Sequence, residues 1–238
     1  MTQNYHKKLS TNFLNTITHR LGIILINLDD DDNPSDIYQS LNYKSEKLSD
    51  SDLIRNFIFM EVGDLENQEE FNEVHWSSFE DQFEEYSEEN SKSKVQEDFY
   101  YRYLISKTEY FPHRSLYKKF ILYVSNRFQD KKKGINNLVN ELKEYAENYI
   151  SINYFCEETE LEICFKRFRL LGVSTAAPLL LHFYDIYKKD EKFPFERFYR
   201  VLRMTESFII RRTIVGARTR GYGEDFAEAI EKSKTIEI

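Results

Sequence analysis

Chain breakers are scarce in this 238-residue sequence, which has 7 Gly and 4 Pro. That scarcity argues against a many-turned β-sandwich and favours long helices joined by short loops. Only two cysteines occur, Cys156 and Cys164, which excludes a disulfide framework and points to a reducing compartment. No run approaches the ~20 apolar residues of a membrane span. The opening MTQNYHKKLSTNF leads into no signal-peptide core, so a cytoplasmic location without membrane contact is expected. The phosphate-cradling GxxxxGKS/T and the nucleophile elbow GxSxG are both missing. His6, His19, His75, His113 and His182 are scattered, and the cysteines stand eight residues apart. This spacing holds no zinc, and no metal site is expected.

What the chain does have is aromatic residues and uneven charge. There are 17 Tyr and 19 Phe beside one Trp, within 41% hydrophobic and 31% charged residues. That is ample for a buried core and too apolar for disorder. The net charge of −8 conceals two opposite regions. Residues 29–98 hold 22 Asp/Glu against 5 Lys/Arg, whereas residues 197–220 hold 7 of the 14 arginines and a single acid, Glu206. The whole-chain charge therefore says little about partners.

The periodicity predicts a mainly α fold: a helical bundle over 63–238, preceded over 1–62 by a small α/β portion with one short strand, GIILINL at 22–28. The acidic run Asp29–Asp32 after that strand reads as a solvated turn, since its spacing fits no Ca²⁺ loop. Ser49 is a predicted N-cap, with Asp50 and Asp52 in the first turn and Gly63 past the end. On that helix Asp52 and Arg55 are spaced to pair, with Asn56 beside Asp52. Further helices are expected near 67–87, 95–107, 113–132, 135–154, 158–171, 175–188, 194–216 and 224–232. Lys131–Lys133 would close one of them, before a joint at Gly134. His182 stands three residues before Asp185, which allows a His–Asp pair, although a packing histidine is the plainer reading.

The stretch ESFIIRRTIVGARTRGYGEDF carries the sharpest question. On a helical wheel zeroed at Phe208, Arg212 falls at about +40°, amid Val201, Thr205, Phe198, Met204 and Val215. Ile210 and Ile214 lie opposite, so the helix is expected to be central. A guanidinium placed there needs a carboxylate or several carbonyls from a neighbouring segment. Two readings of the cluster stay open: arginines that pin helices together, or a phosphate-contacting group of Arg200, Arg203, Arg211, Arg218 and Arg220.

The segments ETELEICFKRFRLLGVSTAAPLLLHFYDIY and FYRVLRMTESFIIRRTIVG resemble the helical middle of GmrSD-type modification-dependent restriction proteins. Upstream, IYQSLNYKSEKLSDSDLIRNFIFM is similar to the segment that closes that family's ParB-like N-terminal domain, and Trp76 in FNEVHWSSFE keeps the family's order. The resemblance makes Asp52, Arg55, Asn56, Trp76, Glu206 and Arg212 part of a structural signature. It implies a role in defence against phage DNA. Nucleotide hydrolysis through a DGQQR-type motif and a His-Asn-His nuclease belong to parts of the family not found in this sequence. The chain is thus expected to be a partial or split GmrSD-type protein, a DNA-contacting scaffold with no catalytic residue and no cofactor of its own. In the family, nucleoside triphosphate and divalent metal act through those other parts. DNA and a separate nuclease or nucleotide-binding polypeptide are the implied partners. The alternative is a stand-alone protein-interaction module, or an inactive truncated relative.

Overall fold

Ser49 begins the first described helix by closing a capping box. Its Oγ accepts from the Asp52 backbone N–H at 3.1 Å, and its own N–H donates to Asp52 Oδ2 at 3.2 Å. The computed structural model describes residues 48–63, 65–86, 92–128, 131–154 and 159–235. The expected strand, the Asp29–Asp32 turn, His6, His19 and Cys156 lie outside them. Contacts divide the chain into two units, Met1–Lys47 and Leu48–Ile238.

The second unit is mainly α, with no strand among the described residues. Its helices are α1 (Asp50–Val62), α2 (Leu65–Phe71), α3 (Ser77–Glu80), α4 (Lys92–Lys107) and α5 (Leu116–Arg127). They are followed by α6 (Lys131–Asn153), α7 (Glu160–Leu171), α8 (Ala177–Lys189), α9 (Phe195–Ile214) and α10 (Tyr222–Thr235). A π-helical turn, Asn72–Trp76, joins α2 to α3. Helix α1, assigned from sequence to the 1–62 portion, packs on α4, α5 and α6 inside this unit. The hub is α8. Its run APLLL is apolar on every side, Pro178 sits in its first turn where a missing N–H costs nothing, and it touches α4, α6, α9 and α10.

The aromatic residues tie these elements together. Phe59 of α1 meets the Trp76 ring at 5.5 Å, Trp76 meets Phe79 of α3 at 5.1 Å, and Phe79 meets Phe99 of α4 at 5.8 Å. Tyr103, one turn on from Phe99, then stands edge-on to Tyr145 of α6 at 5.2 Å. Such offset and edge contacts add to the area these rings bury.

Two expectations about helix ends are corrected. The lysines at 131–133 open α6 and do not close the helix before it. Gly134 lies within α6 and is no joint. A Cβ there would stand 2.5 Å from both Cβ and Cγ of Phe128, so the glycine admits that side chain against the helix.

A candidate arginine-lined interface

Helix α9 is not central. Its buried residues are Phe198, Leu202, Thr205 and Ile209, a stripe centred about 90° round from Phe208. Met204, Ile214 and Val215 are 66%, 78% and 76% exposed. The sequence offers two apolar stripes, and contact with α7 and α8 decides which one is covered. Arg212 therefore sits at the edge of the buried stripe.

Among the described residues no carboxylate reaches Arg212. Its guanidinium carbon lies 5.0 Å from the centre of the Tyr222 ring and 5.4 Å from that of Phe208, and Nη2 donates to the Arg218 carbonyl at 3.3 Å. Two aromatic faces and one carbonyl thus do the work expected of an acid, which suffices because the group is only partly buried.

The α9 face turned from the core forms a groove of about 430 Å³, lined by Arg200, Arg203, Met204, Ser207, Phe208, Arg211 and Arg212. Three of the five sequence-chosen arginines thus come together. The other two, Arg218 and Arg220, are exposed in the turn that follows α9. Arg203 is engaged by Glu206 at 2.6 Å, with Arg167 of α7 at 3.9 Å from the same carboxylate. Arg200, Arg211, Arg218 and Arg220 form no ion pair among the described residues. Three unmatched guanidinium groups at the C-terminal end of α9, with Arg200 about three turns back along the same face, make a surface suited to anions with planar oxygen pairs.

The turn itself is well made. Ala217 N–H donates to the Arg212 carbonyl at 2.9 Å and Gly216 N–H to that of Thr213 at 3.1 Å, the Schellman pattern, with Gly216 at φ +67°. Sequence reading missed Tyr222, the aromatic partner of Arg212, because a contact made across a turn leaves no periodic signal.

The remaining signature residues are structural. Arg55 does not pair with Asp52, which is occupied by the cap. Its Nε meets Glu80 at 3.2 Å and its guanidinium covers Phe59 at 4.7 Å. Asn56 is half-buried on α1, and Trp76 is buried in the π turn.

Histidine and cysteine chemistry is muted. His182 does not pair with Asp185; its Nε2 lies 3.0 Å from Ser233 Oγ. The Ser233 hydroxyl already donates to the Ile230 carbonyl at 2.7 Å, so the imidazole must donate to it and cannot act as its base. Asp185 instead accepts from Tyr145 at 2.7 Å and pairs with Lys189 at 2.8 Å. Burial holds the Cys164 thiol above its ordinary range, which disfavours a reactive thiolate.

A larger cavity, about 840 Å³, lies between α5 and α10, but its cations are matched. Lys119 pairs with Glu109, Lys234 with Glu231, and Lys107 and Arg127 share Glu141. Among the described residues no group of three acids, histidines or cysteines is placed to hold a metal. No helix there is long and apolar enough to cross a membrane. Comparisons with protein families, with characterised proteins and with solved structures found no match.

Proposed function

We propose that this chain is the helical scaffold of a GmrSD-type phage-defence protein, and that the α9 groove with its following turn meets the phosphate backbone of DNA. The observation that supports this is the set Arg200 and Arg211 along the α9 groove and Arg218 and Arg220 in the turn after it, with no ion-pair partner among the described residues. Guanidinium forks without acids of their own are costly to crowd together unless an external anion relieves them. In this reading catalysis and nucleotide use belong to a separate polypeptide, and the chain works in the cytoplasm.

The test is duplex-DNA affinity as a function of salt. With four phosphate contacts the affinity falls roughly 100-fold between about 50 and 200 mM monovalent salt. Replacing Arg211, Arg218 and Arg220 together by Ala flattens that dependence to about one contact's worth. Absence of binding at the lowest salt would sink the proposal.

A second reading has its own support. Met204, Ile214 and Val215 are large apolar side chains left exposed along the same helix, as on a surface that docks another protein. If a polypeptide is the true ligand, Ile214→Asp abolishes its binding while DNA affinity is unmeasurable from the start.

A further inference from the structure

We infer that Arg212 is the positioning residue of this interface: it holds the 215–221 turn in one shape and does not itself touch the ligand. The inference rests on the phosphate-backbone reading above and adds how the cationic surface is prepared. Arg212 Nε is shielded from solvent and has no hydrogen-bond partner among the described residues, so no incoming phosphate reaches it without displacing the rings around it. Its planar group covers the Phe208 and Tyr222 rings, which come from either side of the turn and lie 5.7 Å apart, and Nη2 holds the turn's middle through the Arg218 carbonyl.

The backbone completes the clamp. The Arg212 carbonyl accepts from Ala217, and Tyr222 N–H donates to the Thr219 carbonyl at 3.1 Å. Gly216 at φ +67° and Gly221 at φ +100° supply the two left-handed positions that bracket the turn. The Tyr222 ring that flanks Arg212 is itself buried, so the clamp is anchored in the core. Within this frame Arg218, Thr219 and Arg220 are all exposed. One arginine is thus spent inside the fold so that two others are presented without first having to be ordered, which is where preorganised binders gain affinity.

A lysine cannot reproduce this arrangement. Its compact ammonium can lie on a ring but lacks the flat fork that covers two touching rings while donating sideways.

The experiment uses the full chain with Arg212→Met, Arg212→Lys, the pair Arg218→Ala/Arg220→Ala, and Arg212→Met added to that pair. Affinity for a duplex of about 20 base pairs is measured by fluorescence anisotropy at low salt, and trypsin cleavage after Arg218 and Arg220 is followed by mass spectrometry. Arg212→Met is expected to weaken binding about tenfold in the otherwise native chain. In the Arg218→Ala/Arg220→Ala background it changes affinity by less than about twofold, because the groups it positions are gone. Trypsin cleavage after Arg218 and Arg220 rises about tenfold with Met and less with Lys, while cleavage after the exposed Lys192 is unchanged.

An equal affinity loss in both backgrounds makes Arg212 a direct contact and overturns the inference. So does unchanged cleavage in the turn, or a matching rise at Lys192, which marks general loosening. Should the native chain not bind duplex at all, the phosphate reading fails, and the proteolysis result still decides whether Arg212 holds the turn.

Discussion

Burial, together with the charges of Lys234 and Lys107 and against the pull of Asp185, lowers the His182 pKa from 6.5 to about 4. The unfolded chain takes up a proton near pH 6.5 that the folded chain refuses until about pH 4, so stability falls as pH drops through that window. By about pH 5 the loss is about 2 kcal/mol, or roughly 5 °C in melting temperature for a unit of this size. His182→Gln keeps a donor for Ser233 and has nothing to titrate, so its melting temperature should be flat between about pH 7 and about pH 5 on this account. An equal drop in both proteins would assign the acid sensitivity elsewhere. Gly134 poses a different residue-scale problem. Alanine raises helix propensity by about 1 kcal/mol, yet its methyl would meet the base of the Phe128 side chain, which cannot swing aside. Overpacking costs about 1–3 kcal/mol, so Gly134→Ala should lower the urea midpoint, and adding Phe128→Ala should recover part of it. From sequence alone Gly134 reads as a helix stop, because its reason for being glycine is a contact outside its own helix.

At the scale of the helices, Glu141 of α6 is the tie between three of them. Its Oε1 takes the Lys107 ammonium of α4 at 2.7 Å and its Oε2 takes Arg127 of α5 at 2.5 Å. Burial would raise its pKa, but those two cations bring the carboxyl below its usual range, while burial lowers Lys107 against the pull of Glu141. Glu141→Gln leaves Lys107 charged and unmatched over the Tyr145 ring, and should cost about 3 kcal/mol in denaturant unfolding. Pairing it with Lys107→Met should restore most of that; no recovery would mean the carboxylate has another role. The existence of most of these helices was legible because apolar residues recur at three and four. The Ser49 cap was legible too, since a hydroxyl followed by an acid three residues on has one good use at a helix start. The orientation of α9 was not. Phe208 heads one apolar stripe and Ile209 another, and only the neighbouring helices choose between them. Arg55 shows the same limit: Asp52 was the near partner by spacing, but the cap had claimed it, and Glu80 came from another helix.

Across the whole second unit, charge is sorted by position. Glu69, Glu70, Glu73, Asp81, Glu84 and Glu85 are exposed on or near α2, the π turn and α3. Arg200, Arg211, Arg218 and Arg220 lie towards the far end of the chain, on α9 and its turn. The contrast was visible in the sequence as two windows of opposite sign. What sequence could not supply was the subtraction: Arg203 is taken by Glu206 and Arg212 by aromatic rings, so the working surface is smaller than a count of arginines implies.

The ring-to-ring path from Phe59 through Trp76, Phe79, Phe99 and Tyr103 to Tyr145 crosses α1, the π turn, α3, α4 and α6. The only indole in the chain stands within it, fully enclosed, among tyrosines that absorb ultraviolet light and pass the excitation on. Nature has in effect placed a single lamp in the middle of this core. Its colour and brightness register the state of five elements at once, without any label being added.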